Sequence, residues 1–368
     1  YVLRLFLDGG IDAIYTTDPK TRADVESWVD VPYPSREIVD TGAIRLGPHC
    51  AELKAVASRL ALVNGVQVQT ANHHTGRAQF RTFKTGTTDT MPSLLSIIGS
   101  QRDTQVLRYV DWYHDTPQFR ELLMSTSPGE LRSIAAVLRR RAAPLRGTRD
   151  PASRETSACL LETAALAERL CEVPKLVLPP ADDDDFVASV SMHLARALWF
   201  FEHDLVRCVD VMVGYGEQPW DSHYLNERNQ RRASRRAFAP IADALLKMET
   251  LRNAHGSLAD NTLVVIGSEI GRFPALNGER GKDHFPEVPL LLWGHGLGGQ
   301  GGAGKVFGRT GKRMEAQPVA TSTGRDAPRG APLMLLDDVG TTLLRLCGVP
   351  DPSVYGYTGR TLEFLGVG

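Results

Sequence analysis

At 368 residues and 42% hydrophobic, the chain holds enough apolar material for one large or two ordinary domains, and no staple-dependent miniature fold is needed. A formal net charge of −1 provides no global basic field, so overall charge lends nucleic-acid binding no support. The five cysteines (Cys50, Cys159, Cys171, Cys208, Cys347) show no Cys-x-x-Cys spacing, which argues for buried thiols and against a zinc ribbon or a disulfide framework.

Residues 1–7 read as a strand that begins abruptly, so a leader ahead of it is expected. The strand runs into Asp8-Gly9-Gly10-Ile11-Asp12, where paired glycines admit backbone shapes that other residues resist. Residues 51–60 read as a helix and Leu60 to Val68 as a second strand leading to Asn72-His73-His74-Thr75-Gly76-Arg77. Strand, polar turn, then helix is where open α/β sheets place their chemistry, outside the carboxyl ends of the strands. From about Thr116 to Leu205 the pattern is helical, with breaks at Pro144, Pro151, Pro174 and Pro179-Pro180, and predicts a helical insertion over 116–205. Within it Asp182 to Asp185 reads as an acidic, solvated helix start, with calcium binding as the alternative. The basic runs Arg139 to Arg141 and Arg231 to Arg236 read as solvated helix faces.

An α/β rhythm then resumes. Cys208 to Val213 is a strand leading to Trp220-Asp221-Ser222-His223, and Arg235 to Ala254 is an amphipathic helix. Asn261 to Ile266 is a strand leading to Ser268-Glu269-Ile270-Gly271-Arg272. Lys282-Asp283-His284-Phe285 precedes the strand Val288 to Trp293, and Pro332 to Cys347 is a helix ending at Gly348. Gly294 to Gly304 lacks the Walker ending and a Gly-x-Gly-x-x-Gly junction, so it reads as a flexible loop. Strands alternating with helices predict a mostly parallel sheet covered on both faces. No apolar run approaches the length of a membrane span.

Carboxylates and neutral imidazoles are ligands for zinc and manganese, and carboxylates alone suit magnesium or calcium. Asp221 and His223 are two apart, so in an extended segment they project to one side and could share an ion; the plain alternative is a hydrogen-bonded loop pair. Glu269 is aimed out of the sheet's carboxyl edge, or else is a helix N-terminal acid with Arg272 as its ion-pair partner. Asp283 and His284 serve one ion only across a turn but readily serve two, and two ions about 3.5–4 Å apart clamp both oxygens of a displacement. Thr75, beside His74, is a candidate nucleophile activated by metal or imidazole, or simply a helix-capping hydroxyl; water activated on a metal is the other nucleophile.

Gly9-Gly10-Ile11-Asp12, Asp221-Ser222-His223, Ser268-Glu269-Ile270-Gly271-Arg272 with Asn277, and Lys282-Asp283-His284-Phe285-Pro286 resemble the domain of unknown function 1501 family, within the alkaline phosphatase and sulfatase superfamily. The closing Asp337-Asp338-Val339-Gly340-Thr341-Thr342-Leu343-Leu344 through Gly359-Arg360 resembles the final helix and strand of sulfatase-like proteins. The resemblance implies one alkaline-phosphatase-like domain over 1–368, a three-layer α/β sandwich with a mostly parallel central sheet. It implies Asp8 or Asp12 as the first metal ligand, Thr75 as nucleophile, and Asp221, His223, Glu269, Asp283 and His284 completing a centre for one or two divalent ions, zinc first, with magnesium, manganese or calcium as alternatives. Arg77 or Arg272 would clamp the anion with its planar fork. Asn72-His73-His74-Thr75 is also similar to the nucleophile motif of nucleotide pyrophosphatase/phosphodiesterases.

Two departures stand out. His74-Thr75-Gly76-Arg77-Ala78-Gln79 occupies the place where the family more often shows Ser-His-Phe-x-Ala-Gln. The Cys-x-Pro-x-Arg motif of formylglycine sulfatases is absent, which argues against a standard sulfatase mechanism. The implied activity is hydrolysis of a small-molecule or polymer-borne phosphate or sulfate ester. A non-catalytic exported scaffold that keeps the fold, and a phosphomutase, stay open as alternatives. Family habit implies export, frequently behind a twin-arginine leader.

Overall fold

The computed structural model describes residues 1–87, 91–101, 107–111, 128–171, 185–214, 218–297, 303–328 and 330–367. Its centre is a seven-stranded sheet built from β1 (Val2–Leu7), β2 (Leu60–Gln67), β3 (Leu107–Asp111), β4 (Val206–Val213), β5 (Leu263–Gly267), β6 (Glu287–Gly294) and β7 (Lys305–Phe307). Across the sheet the order is β7-β2-β6-β5-β1-β4-β3. Every pairing is parallel except those of β6, which runs antiparallel to both β2 and β5.

The two faces of β1 show how the layers form. Leu3, Leu5 and Leu7 enter one apolar core, while Val2 and Phe6 enter a second on the opposite side, as the period of two along a strand demands. The first core is covered by α5 (Asp185–Glu202), α6 (Asn226–Thr250) and a 3₁₀ run over Pro48–Arg59. The second is covered by α1 (His73–Thr82), α2 (Leu94–Ser100) and α7 (Leu336–Leu346). The result is the expected α/β architecture, helices on both faces of a mostly parallel sheet.

Between β3 and β4 lie α3 (Pro128–Arg146), α4 (Pro151–Leu170) and α5. Helices α3 and α4 pack on each other through Ala135, Ala164 and Ala167, and the Ser157 hydroxyl donates to the Ala142 carbonyl at 3.0 Å. Of Asp182 to Asp185, read as an acidic helix start, Asp185 opens α5, while Asp182 to Asp184 and the proline breaks Pro174 and Pro179-Pro180 lie outside the described residues. Three expected helices differ in detail: the one read over Arg235 to Ala254 is α6, which starts nine residues earlier at Asn226 and ends at Thr250. Residues 51–59 belong to the 3₁₀ run, kinked at Cys50, Leu60 opens β2, and the last helix starts at Leu336 rather than Pro332. Among the described residues no helix is long and apolar enough to cross a membrane.

His49, in the 3₁₀ run, is 1% exposed, its ring lies 4.6 Å from that of Tyr15, and neither ring nitrogen makes a hydrogen bond. Burial, then the charges of Arg231, Arg235 and Lys282, push its pKa down to about 3. The unfolded chain therefore takes up a proton below the ordinary histidine pKa of about 6.5 that the folded chain refuses, and stability falls as pH drops toward the folded value. At about 1.4 kcal/mol per pH unit, His49→Phe is expected to lose about 2–3 kcal/mol less than the wild type between pH 7 and 4.5. Urea unfolding at the two pH values measures this; equal losses would exclude His49 as the source.

Candidate metal centre

The site forms because one strand runs backwards. After β5 the chain leaves the sheet at Ser268-Glu269, pairs Gly271–Arg272 against His284–Phe285 as a short antiparallel ladder, and re-enters the sheet as β6. Since β6 is antiparallel to β5, its start lies at the carboxyl edge of β5. Glu269 and His284, at the two ends of this excursion, thus arrive at the same edge as Asp8, which follows β1, and Asp221, which follows β4.

There, His73, Asp221, His223 and His284 bring one ligand atom each within 4.8 Å of one another. His223 Nε2 is 2.8 Å from His284 Nε2 and 3.4 Å from Asp221 Oδ1, and His73 Nε2 is 3.6 Å from Asp221 Oδ2. Donors of a tetrahedral ion with bonds of about 2.0–2.1 Å stand about 3.3–3.4 Å apart, so two of these separations are near that edge and one is tighter.

Two of the three imidazoles are hydrogen-bonded from behind at Nδ1, and the third has a carboxylate near it. His73 Nδ1 lies 2.6 Å from Glu269 Oε1, His284 Nδ1 lies 2.6 Å from the Ala71 carbonyl, and His223 Nδ1 faces Asp283 Oδ1 at 3.4 Å. An acceptor at Nδ1 places the proton there and leaves the lone pair on Nε2, the tautomer a metal-ligating histidine needs. His73 Nε2 is a buried nitrogen with no hydrogen-bond partner, an orphan that a cation would satisfy. Three imidazoles and a carboxylate fit a borderline divalent ion such as zinc better than calcium or magnesium.

The electrostatics agree with a donor set poised for a cation. Burial opposes charging of His73, but Asp221 and Glu269 outweigh it and push its pKa up to about 9. Asp221 would be raised by burial, yet His73 and Arg272 hold it well below the usual carboxylate range. Ion binding at neutral pH would accordingly displace a proton from His73. Burial and neighbouring cations push His284 down, toward the neutral form.

The remaining predicted residues take different places. Asp8, 1% exposed, receives Arg77 Nε at 3.0 Å and Nη2 at 2.8 Å on its Oδ1, and burial together with Glu269 pushes its pKa up to about 6. Asp12 is turned elsewhere. Its Oδ2 pairs with the buried Lys282 ammonium at 2.8 Å and accepts from Asn226 Nδ2 at 3.0 Å, so its charge is already balanced. Arg272, whose side chain is fully buried, donates to the carbonyls of Gly9, Gly10 and Lys282 and to Asp221 at 2.9 Å, which ties its fork to the loop rather than to a ligand. Asp283 stands outside the four-donor group, behind His223.

Helix α1 sorts the Asn72-to-Arg77 motif. The Asn72 side chain accepts the Thr75 N–H and sets the helix start. His73, Gly76 and Arg77 then share the face turned to Glu269 and Asp8, as residues three and four apart do; a Cβ on Gly76 would lie 2.8 Å from the Glu269 carbonyl oxygen. Thr75 is about 200° round the helix from His73, is exposed, and its hydroxyl bonds no described residue. His74 is exposed too. Sequence reasoning therefore missed His73; the available signal was its i, i+4 spacing to Arg77.

Asn277 links the two loops that carry His223 and His284. Its Nδ2 donates to the His223 carbonyl at 3.0 Å and to Asp283 Oδ1 at 3.1 Å, while its Oδ1 accepts the Glu279 and Gly281 N–H groups at 3.0 and 2.9 Å. Close approach requires glycine twice here: a Cβ on Gly281 would lie 1.8 Å from the His223 carbonyl oxygen, and one on Gly9, at φ +115°, would lie 2.4 Å from the Asp221 nitrogen. Asn277→Ala is expected to weaken zinc binding about 10–100-fold, the usual cost of losing an outer-shell partner. Competition against a chromophoric chelator measures it; unchanged affinity would rule out the clamp.

Solved structures with some likeness cover nearly the whole chain. They include a lipoteichoic acid synthase from Listeria monocytogenes (10% identity, 99% of this chain and 75% of that chain, TM-score 0.41). A putative sulfatase from Bacteroides thetaiotaomicron is similar over 99% of this chain and 74% of that chain (11%, TM-score 0.42). The phosphonate monoester hydrolase of Agrobacterium radiobacter matches 100% of this chain and 77% of that chain (13%, TM-score 0.38). At these scores the likenesses carry no argument about chemistry, which rests on the site itself. A search of curated proteins finds no match. The model of the family described as "Protein of unknown function (DUF1501)" matches residues 193–336, the stretch that carries Asp221, His223, Glu269, Asp283 and His284.

Proposed function

We propose that the protein is a metal-dependent hydrolase of phosphate or sulfate esters, formed by a single α/β domain over 1–368 with 116–205 inserted as helices. The observation that carries this reading is the convergence of three imidazoles, two of them anchored at Nδ1, and Asp221 at the carboxyl edge of the sheet. A divalent ion held by His73, Asp221, His223 and His284 would supply Lewis acidity toward an ester oxygen and would acidify water. Glu269 holds His73 in the productive tautomer. Asp8 stands at the same edge, its carboxylate held by two donors of Arg77.

The outward placement of Thr75 supports water, not a threonine alkoxide, as nucleophile. Turnover of aryl phosphomonoester, phosphodiester and sulfate ester substrates by zinc- or manganese-loaded protein tests the reading. Hydrolysis of at least one, lost with chelator and kept within a few-fold in Thr75→Ala, is the expected result. No turnover of any ester by the loaded protein would favour the scaffold instead, and loss of turnover in Thr75→Ala at unchanged metal content would restore the threonine.

A further inference from the structure

The edge of the sheet opposite the candidate metal centre holds a second polar site. Strands β1, β4 and β5 begin at this edge and the antiparallel β6 ends there, about 20 Å from the centre at roughly 3.3 Å per strand residue. A cavity of about 260 Å³ lies here, between the start of β4, the turn after α7 and the residues that flank β5 and β6. Arg207, the second residue of β4, lines it together with His255, His295 and Cys347, and none of the described residues lining it is acidic. Arg207 is 8% exposed. Its Nη2 donates to the Cys347 carbonyl at 3.0 Å, while Nη1 is buried with no hydrogen-bond partner among the described residues.

We propose that this cavity binds a small organic oxyanion, a carboxylate or a phosphate monoester, on the Arg207 guanidinium. Capping the last turn of α7 accounts for Nη2 alone, since a cation suits the carbonyl end of a helix. It leaves the Nη1 hydrogens unused, and a guanidinium taken out of water without a counter-charge is costly. Its planar fork presents paired donors at the spacing of carboxylate or phosphate oxygens. His255 and His295 stand exposed at the rim. His295 turns Nδ1 to the Asp260 carbonyl at 2.6 Å, which leaves Nε2 for a ligand, whereas His255 Nε2 already faces Asp204 Oδ2 at 3.4 Å. Leu263 and Leu346 add apolar wall, which suits an organic body in place of a bare ion. The site shares no residue with the four-donor group and stands or falls independently of the metal reading.

Calorimetric titration with benzoate and with phenylphosphonate, a non-hydrolysable stand-in for a phosphate monoester, tests this, and their relative affinities tell which oxyanion the site prefers. The wild type is expected to bind at least one of them saturably, and Arg207→Gln to weaken that binding at least about ten-fold, the cost of one charge-assisted hydrogen bond. Joint replacement of Asp221 and His223 by alanine should leave it in place, because those residues lie at the other edge. Circular dichroism checks that each variant is folded. If Arg207→Gln is not, Arg207→Lys takes its place with the same direction of change, since lysine keeps the charge and loses the paired donors. Failure of both anions to bind the wild type overturns the inference, as does equal binding of neutral benzyl alcohol. Affinity unchanged in the folded Arg207 variant, or lost with Asp221 and His223, overturns it too.

Discussion

Replacing Asp221 and His223 together with alanine is expected to lower zinc affinity by more than about 100-fold. Losing an outer-shell partner alone costs about 10–100-fold, and this change removes two of the four converging donors outright. The fold should tolerate it, because the two side chains are partly exposed at the sheet edge rather than packed in either core. Removing Asp221 also leaves Arg272 with its three carbonyl partners, which continue to satisfy most of the fork. A second readout follows from linkage. A ligand at 100 times its dissociation constant stabilises the folded state by about 2.7 kcal/mol, so zinc should raise the unfolding midpoint of the wild type and leave the double variant nearly unmoved. Undiminished one-to-one binding in the double variant would remove these residues from the ligand set.

The largest expected effect on stability lies behind the site. Arg4 and Asp210 sit directly opposite each other on the parallel strands β1 and β4, and both are fully buried. Arg4 Nε donates to Asp210 Oδ1 at 3.0 Å and Nη2 contacts Oδ2, while Nη1 donates to the Phe80 and Arg81 carbonyls at 2.9 and 2.7 Å. The pair thus ties two strands to the last turn of α1, the helix that presents His73 and Arg77. Asp210→Ala leaves a guanidinium buried without its counter-charge and is expected to cost about 3–5 kcal/mol. Replacing both partners by apolar residues of similar volume, as in Arg4→Met with Asp210→Leu, should cost far less, since no charge is left unpaired. Urea unfolding with an unchanged slope measures both. If the single variant loses under about 1 kcal/mol, the pair is not what holds α1 to the sheet.

Much of this protein was legible from residue order. The strand at 1–7, the strand ending ahead of Asn72 and the polar turns after Val213 and Gly267 are apolar runs bounded by turn-forming residues, and the structure has strands there. Asp221, His223 and His284 were legible as ligand-type residues from their position after or before such runs, and the structure brings them, with His73, within reach of one another. Where alternatives stayed open, long-range partners closed them. Asp8 and Asp12 follow the same strand and are equivalent as letters, but Lys282, 270 residues away, pairs with Asp12 and leaves Asp8 for Arg77. Arg272 reads as a free anion clamp until the Gly9 and Gly10 carbonyls and Asp221 are found on its fork.

By itself, then, the sequence determined which residue types gather and at which ends of which strands, because hydrophobic period and turn chemistry act over a few residues. Only the tertiary structure decided between His73 and His74, since neighbours on a helix point about 100° apart and the face depends on how α1 docks against Glu269. It also decided the direction of β6. An eight-residue apolar strand reads the same both ways, and its antiparallel pairing to β2 and β5 is what returns His284 to the edge where Asp221 and His73 wait.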